Sequence, residues 1–165
     1  MASVILEGAD GTGKTTLAKQ IAEYYGWDVC HCTADDPADF DFYKQTARKQ
    51  NVVWDRHTIG ELIYPKVFHR KPQIATEDAR IVLSYAREAG AKIFVLTTEL
   101  GEIKRRLSER GEEHQEVLDN IKMINDEFLY YATVFHVKVI DTSKIPFKLI
   151  RGLIDNDDDY QFIHG

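Results

Sequence analysis

Residues Gly8-Ala9-Asp10-Gly11-Thr12-Gly13-Lys14-Thr15 satisfy the pattern G-x-x-x-x-G-K-[ST], and nothing else in the chain constrains its fold as strongly. The pattern describes a phosphate-binding loop when a strand leads into it and a helix leads out. Both flanks fit: Ser3–Glu7 is a short apolar run, and Lys14 to Tyr25 carries Leu17 and Ile21 at helical spacing. Glycines let the backbone curl until successive N–H groups face phosphate oxygens, and the following helix adds its positive end. The expected nucleotide-binding residues are therefore Gly8, Asp10, Gly11, Thr12, Gly13, Lys14, Thr15 and Thr16. Lys14 supplies a mobile charge for the outer phosphates, and the Thr15 hydroxyl is a candidate Mg²⁺ ligand. No Asn-Lys-x-Asp occurs, so the guanine-reading element of a GTPase is missing.

Beyond the loop, short β-branched runs alternate with helical patterns. The expected strands are Ser3–Glu7, Trp27–Cys32, Asn51–Trp54, Lys92–Thr97 and Val137–Asp141. Between them, Ile74, Leu83 and Ala86, then Ile103 with Leu107, then Val117, Ile121, Ile124 and Phe128 recur at three- and four-residue steps. Runs such as Val4-Ile5-Leu6 and Val52-Val53-Trp54 are continuously apolar, as expected of strands covered on both faces. The expected fold is α/β: one domain, residues 1–154, with a parallel sheet wrapped by helices, then an acidic tail, 155–165.

Charge narrows the partners. Twenty-one Lys and Arg against 27 Asp and Glu leave a formal net charge of -6, which argues against duplex nucleic acid as the main partner. No apolar run is long enough for a membrane span, and no signal-peptide pattern opens the chain. Two cysteines, Cys30 and Cys32, read as small buried hydrophobes in a reducing cytoplasm, not as metal ligands. His31, His69, His136 and His164 cluster with no other ligands and read as ordinary surface or packing residues.

Three further elements point to phosphoryl transfer, which demands positioning and charge neutralisation. Asp55-Arg56-His57 closes the third strand, and ligands bind beyond the carboxyl ends of parallel strands. Arg56 can hold two phosphate oxygens through its planar fork, and Asp55 can accept a proton or organise Mg²⁺. Tyr64 and Phe68, four apart, could stack on a base or belong to the core. Arg106 and Arg110, also four apart, share a helix face that ends at Gly111, the arrangement of a short lid at about 105–116. A solvated helix with an Arg106–Glu102 pair is the plainer reading of the same residues. A carboxylate inside a phosphate loop is costly unless something positive faces it, so Asp10 is expected to touch an acceptor more than the donor. Catalytic candidates are thus Lys14, Asp55, Arg56, Arg106 and Arg110, with Thr15 and Asp55 at a metal.

Leu6-Glu7-Gly8-Ala9-Asp10-Gly11-Thr12-Gly13-Lys14-Thr15-Thr16, Asp55-Arg56-His57, Gly60 to Tyr64, and Arg106, Arg110 and Gly111 together resemble the thymidylate kinase family of P-loop nucleoside monophosphate kinases, in particular its short phage-type members. The resemblance runs from about Val4 to Asp141. It implies a three-layer fold with strand order 2-3-1-4-5, ATP and Mg²⁺, and transfer of the γ-phosphoryl group to a deoxynucleoside monophosphate such as dTMP. It also implies that Asp10 and Arg56 contact the acceptor and that Glu61, Tyr64 and Arg70 line its pocket. Ile63-Tyr64-Pro65 lacks the family's pyrimidine-reading glutamine, and Asp35, Asp36, Asp39 and Asp41 give the acceptor side an acidic wall. A nucleoside or a nucleic acid hydroxyl as acceptor, and a P-loop module without an acceptor, therefore stand as alternatives. Tyr130-Tyr131 could serve a dimer face or the core.

Overall fold

In the computed structural model, which describes residues 2–32, 36–111 and 114–156, five strands form one sheet in the order β2-β3-β1-β4-β5. Asp35, His164, the Glu112-Glu113 step of the expected lid and the tail from 157 onward lie outside the described residues. The strands are β1 (Ser3–Gly8), β2 (Asp28–His31), β3 (Val52–Asp55), β4 (Ala91–Thr97) and β5 (Lys138–Asp141). Every pairing is parallel: Ile5 aligns with Trp54 and with Ile93, Cys30 with Trp54, and Val95 with Val139.

Side chains of a strand alternate between faces, and here the alternation feeds two cores. Val4, Leu6, Val53, Phe94 and Leu96 point to one face, under α1 (Lys14–Tyr25) and α8 (Phe147–Asp155). Ile5, Val52, Trp54, Ile93 and Val95 point to the other. That face is covered by α2 (Phe40–Thr46), α3 (Thr58–Val67), α4 (Thr76–Glu88), α5 (Leu100–Arg110), α6 (Gln115–Asp119) and α7 (Ile121–Val134). Burial on both sides is why β1, β3 and β4 carry no polar alternation at their centres.

The helices follow from local signals. α1 buries Leu17, Ala18, Ile21 and Ala22 on one stripe and stops at Gly26, whose φ of 70° suits a left-handed cap. α4 buries Ala79, Val82, Leu83 and Ala86, and Asp78 reaches back to accept the Ala75 N–H at 2.9 Å. The stretch from Val117 to Phe128, expected as one helix, divides at Asn120 into α6 and α7. Two helices were not expected. α2 starts on Asp39, whose Oδ1 accepts the Phe42 N–H at 2.9 Å, with Asp41 in its first turn. Two carboxylates of the expected acidic wall therefore serve a helix start. α8 buries Ile150, Leu153 and Ile154 and closes with Asp155, which accepts the Tyr25 hydroxyl at 2.6 Å. Tyr131 stacks on Phe135, while Tyr130 stays 62% exposed. Among the described residues no helix is long and apolar enough to cross a membrane.

Candidate active site

β1 ends at Gly8, where the chain must turn within contact of β4: a Cβ there would lie 2.6 Å from the Leu96 carbonyl oxygen. Gly11 and Gly13 follow with φ of 84° and 92°, conformations that a side chain resists. Gly13 is the N-cap of α1 and Lys14 its first residue. The loop is braced from within by the Thr12 hydroxyl, which donates to Ala9 O at 2.7 Å. Thr142, just past β5, braces it from outside by donating to Thr12 O at 2.7 Å.

Lys14 is buried, and its Nζ donates to Ala9 O at a long 3.4 Å. Burial, reinforced by the Arg56 charge, pushes its ammonium down from 10.5 to about 8. A lysine held this way gains from an incoming anion. The Thr15 hydroxyl donates to Asp55 Oδ2 at 2.8 Å, so the loop and the end of β3 meet as the sequence predicts. His31 Nδ1 lies 3.4 Å from the same oxygen. Sequence reasoning passed over His31; its signal is that it pairs in register with Asp55 across the β2–β3 ladder. Thr15 and Asp55 form an all-oxygen donor set of the hard kind that Mg²⁺ takes, and the curled amides with Lys14 suit phosphates. The residues present therefore fit a magnesium nucleotide.

Two cavities open from this loop. The first, about 470 Å³, is lined by Lys14, Thr15, Thr16, Arg106, Arg110 and Phe147 among others. Arg106 Nη1 donates to Gly11 O at 3.1 Å while its Nε holds Glu102 at 2.9 Å. Arg106 thus pairs with Glu102 and also reaches the loop. α5 stops at Gly111, with φ of 69°. The second cavity, about 550 Å³, is lined by Arg56, Glu61, Tyr64, Phe68, Arg70 and Asp36 among others. Asp10 lines both.

Arg56 is the centre of the second cavity. Its Nη2 donates to Asp10 Oδ1 at 2.7 Å and to the Tyr64 hydroxyl at 3.1 Å, and its guanidinium lies 4.2 Å from the Tyr64 ring centroid. Burial alone would raise the Asp10 carboxyl, but the Arg56 charge and hydrogen bond, with the Lys14 and Arg110 charges, together outweigh it and hold Asp10 below its ordinary range. Arg70 grips buried Glu61 with two parallel bonds, at 2.7 and 2.9 Å. Tyr64 is core by burial and cavity wall by position; Phe68, stacked near it, is 37% exposed. His57 is buried, its ring nitrogens 2.8 Å from the Thr46 hydroxyl and 2.7 Å from that of Thr58. Burial pushes it down to about 3, so it is neutral and structural. Cys32 lines this cavity too, with burial pushing its thiol up to about 12.

A family model described as Novel STAND NTPase 3 matches residues 2–129. No curated protein matches the chain in sequence. Among solved structures, the YorR protein of Bacillus subtilis in complex with phosphorylated GDP superposes with a TM-score of 0.80 at 23% identity, covering 95% of this chain and 98% of that one. Deoxyadenosine kinase from M. mycoides, bound to dCMP and dCDP, gives 0.58 at 15%, covering 96% and 99%. A gluconokinase from Sinorhizobium meliloti gives 0.57 at 14%, covering 98% and 96%. At these identities the likeness is one of fold.

Proposed function

Because the chain belongs to the Novel STAND NTPase 3 family of P-loop NTPases and joins its phosphate loop to a second cavity, we propose that it is a phosphotransferase. In this reading it moves the γ-phosphoryl group of ATP to a deoxynucleoside monophosphate, dTMP or a related pyrimidine nucleotide. The observation that carries the reading is the Asp10–Arg56 pair, 2.7 Å long, set where the two cavities meet. An arginine at that junction can hold an acceptor phosphate beside the donor phosphates. The solved neighbours, a complex with phosphorylated GDP and a deoxynucleoside kinase among them, support phosphoryl transfer in general.

Each group then has a task. The loop amides from Gly8 to Thr16 and the Lys14 ammonium bind the donor phosphates, and Thr15 and Asp55 would hold Mg²⁺, which neutralises charge on the outer phosphates when bound. Arg56 holds the acceptor phosphate, Asp10 orients Arg56 and the acceptor, and Tyr64 with Phe68 gives the base an aromatic wall. Glu61 fixes Arg70 at the far side of that wall. Arg106 and Arg110, on a lid spanning about 105–116, balance the charge of the transferring group. Domain bounds of 1–154, a cytoplasmic setting for the free Cys30 and Cys32, and a dimer face at exposed Tyr130 complete the proposal.

A second reading keeps the chemistry and takes a nucleoside or a nucleic acid hydroxyl as acceptor. The favouring observation is that both cavity arginines are already neutralised, Arg56 by Asp10 and Arg70 by Glu61, with Asp36 as a further carboxylate. An acceptor phosphate must compete with these pairs; a hydroxyl need not. ADP release measured with nucleosides, deoxynucleoside monophosphates and oligonucleotide ends separates the readings. Stimulation by monophosphates that Arg56→Ala abolishes supports the first. Stimulation by nucleosides that survives Arg56→Ala supports the second. ATP binding that depends on Lys14, with no acceptor stimulating turnover, sinks both.

A further inference from the structure

The backbone at the end of β3 is held in conformations that side chains avoid. Arg56 has φ of 75°, and His57 follows at φ -147°, ψ -125°. A left-handed residue with a Cβ is disfavoured and persists only where its surroundings over-determine it. Three hydrogen bonds from β1 do so here. The Arg56 N–H donates to Leu6 O at 2.8 Å, the His57 N–H donates to Glu7 Oε1 at 3.1 Å, and the Ile59 N–H donates to Glu7 Oε2.

Glu7 is a carboxylate with 0% exposure in the central strand of the sheet. A buried charge is costly unless it is hydrogen-bonded and balanced. The chain needs this one because α3 has no cap of its own. His57, its N-cap residue, makes no side-chain cap bond, since its ring is engaged with Thr46 and Thr58. Glu7 supplies the cap from another strand, and its charge sits at the positive end of α3. Burial pushes its carboxyl above the ordinary range, while the His57 and Ile59 amides and the Arg56 and Lys14 charges pull it back.

The side chain of Arg56 is shaped as closely as its backbone. A Cβ on Gly60 would lie 3.0 Å from both Arg56 Cγ and Cδ, so the glycine makes room for the aliphatic stem. Tyr64 supports the guanidinium from below, and Asp10 takes its Nη2.

We propose that Glu7 is the positioning residue for Arg56: by holding the amides of His57 and Ile59 it fixes the left-handed turn that delivers the guanidinium to Asp10 and Tyr64. The importance of that delivery for an acceptor rests on the function proposed above; the clamp itself does not.

The test is a double-substitution cycle with E7Q and R56G. In E7Q an NH₂ group replaces one oxygen and faces an N–H. Glycine adopts positive φ freely, so R56G removes the strain that the clamp holds. E7Q is therefore expected to lower the folding constant about tenfold less in the R56G background than alone, a coupling of ordinary size for adjoining residues. Stacking over the Tyr64 ring at 4.2 Å is expected to shift the Arg56 Nε–H resonance upfield, and in E7Q that resonance is expected to move to an ordinary position. Equal losses in both backgrounds, or an unmoved Arg56 resonance in folded E7Q protein, would overturn the proposal and leave Glu7 as a cap alone. If E7Q does not fold, folding of the E7Q, R56G double variant supports the proposal, and its failure to fold overturns it. No acceptor is needed for these readouts, so they stand even if the kinase reading fails. Where the panel assay yields an acceptor, E7Q should raise its KM about tenfold and leave the Kd for an ATP analogue within about twofold.

Discussion

Raising the pH from about 7 to about 9.5 is expected to weaken ATP binding about thirtyfold, through Lys14 alone. Burial holds its ammonium at about 8 against an ordinary 10.5. A polyphosphate beside Nζ favours the charged form and restores the higher value, so above pH 8 binding must be accompanied by uptake of a proton. Affinity then falls about tenfold per pH unit, which is about 2 kcal/mol by pH 9.5. The full shift of 10.5 to about 8 sets a ceiling near 300-fold, or about 3.4 kcal/mol. Stability runs the other way. Between pH 8 and 10.5 the unfolded chain holds a proton on Lys14 that the folded chain has released, so the stability of the unliganded protein rises with pH across that window. The penalty is fully present below pH 8 and gone above 10.5. Calorimetric titration with a non-hydrolysable ATP analogue at constant ionic strength measures the first effect, and urea unfolding the second. An affinity constant within about threefold from pH 7 to 9.5, or the same slope in Lys14→Met, would refute the reasoning.

Other substitutions separate the loop, the acceptor wall and the lid. Gly8→Ala, whose Cβ meets the Leu96 carbonyl oxygen at 2.6 Å, should cost at least about 3 kcal/mol in urea unfolding. Gly26→Ala, at φ 70° with nothing within 4 Å, should cost only about 1 kcal/mol of backbone strain. Tyr64→Phe keeps the ring under Arg56 and loses the hydroxyl, for about 1 kcal/mol, whereas Tyr64→Ala leaves a cavity and costs about 3–5 kcal/mol; acceptor KM should rise in both and ATP affinity in neither change. Arg106→Ala, which removes the contact with Gly11 O at 3.1 Å, should lower turnover about a hundredfold. Arg105→Ala, an exposed residue paired with Glu102 and Glu109, should leave both stability and turnover unchanged.

What the sequence determined by itself is what depends on neighbouring residues. The phosphate loop is legible because its function rests on consecutive backbone amides and on glycines whose φ no other residue adopts easily. β1, β3 and β4 are legible because burial on both faces leaves an apolar run at their centres, and α1 because Leu17 and Ile21 share a stripe ended by Gly26. Local signals also misled where two causes share one residue type: Asp39 and Asp41 read as an acidic wall, although a carboxylate is also the ordinary start of a helix, here α2. α8 was not expected although Ile150, Leu153 and Ile154 stand at helical spacing, because the run of acids beside them has the composition of a tail. Tertiary structure alone decided the rest, because the decisive contacts join residues far apart in the chain. Asp10 meets Arg56 across 46 positions, the Ile59 amide meets Glu7 across 52, and Thr142 meets Thr12 across 130. A parallel sheet brings the carboxyl ends of distant strands to one edge, and only there does the loop acid find its arginine, the arginine its clamp, and the two cavities a common wall.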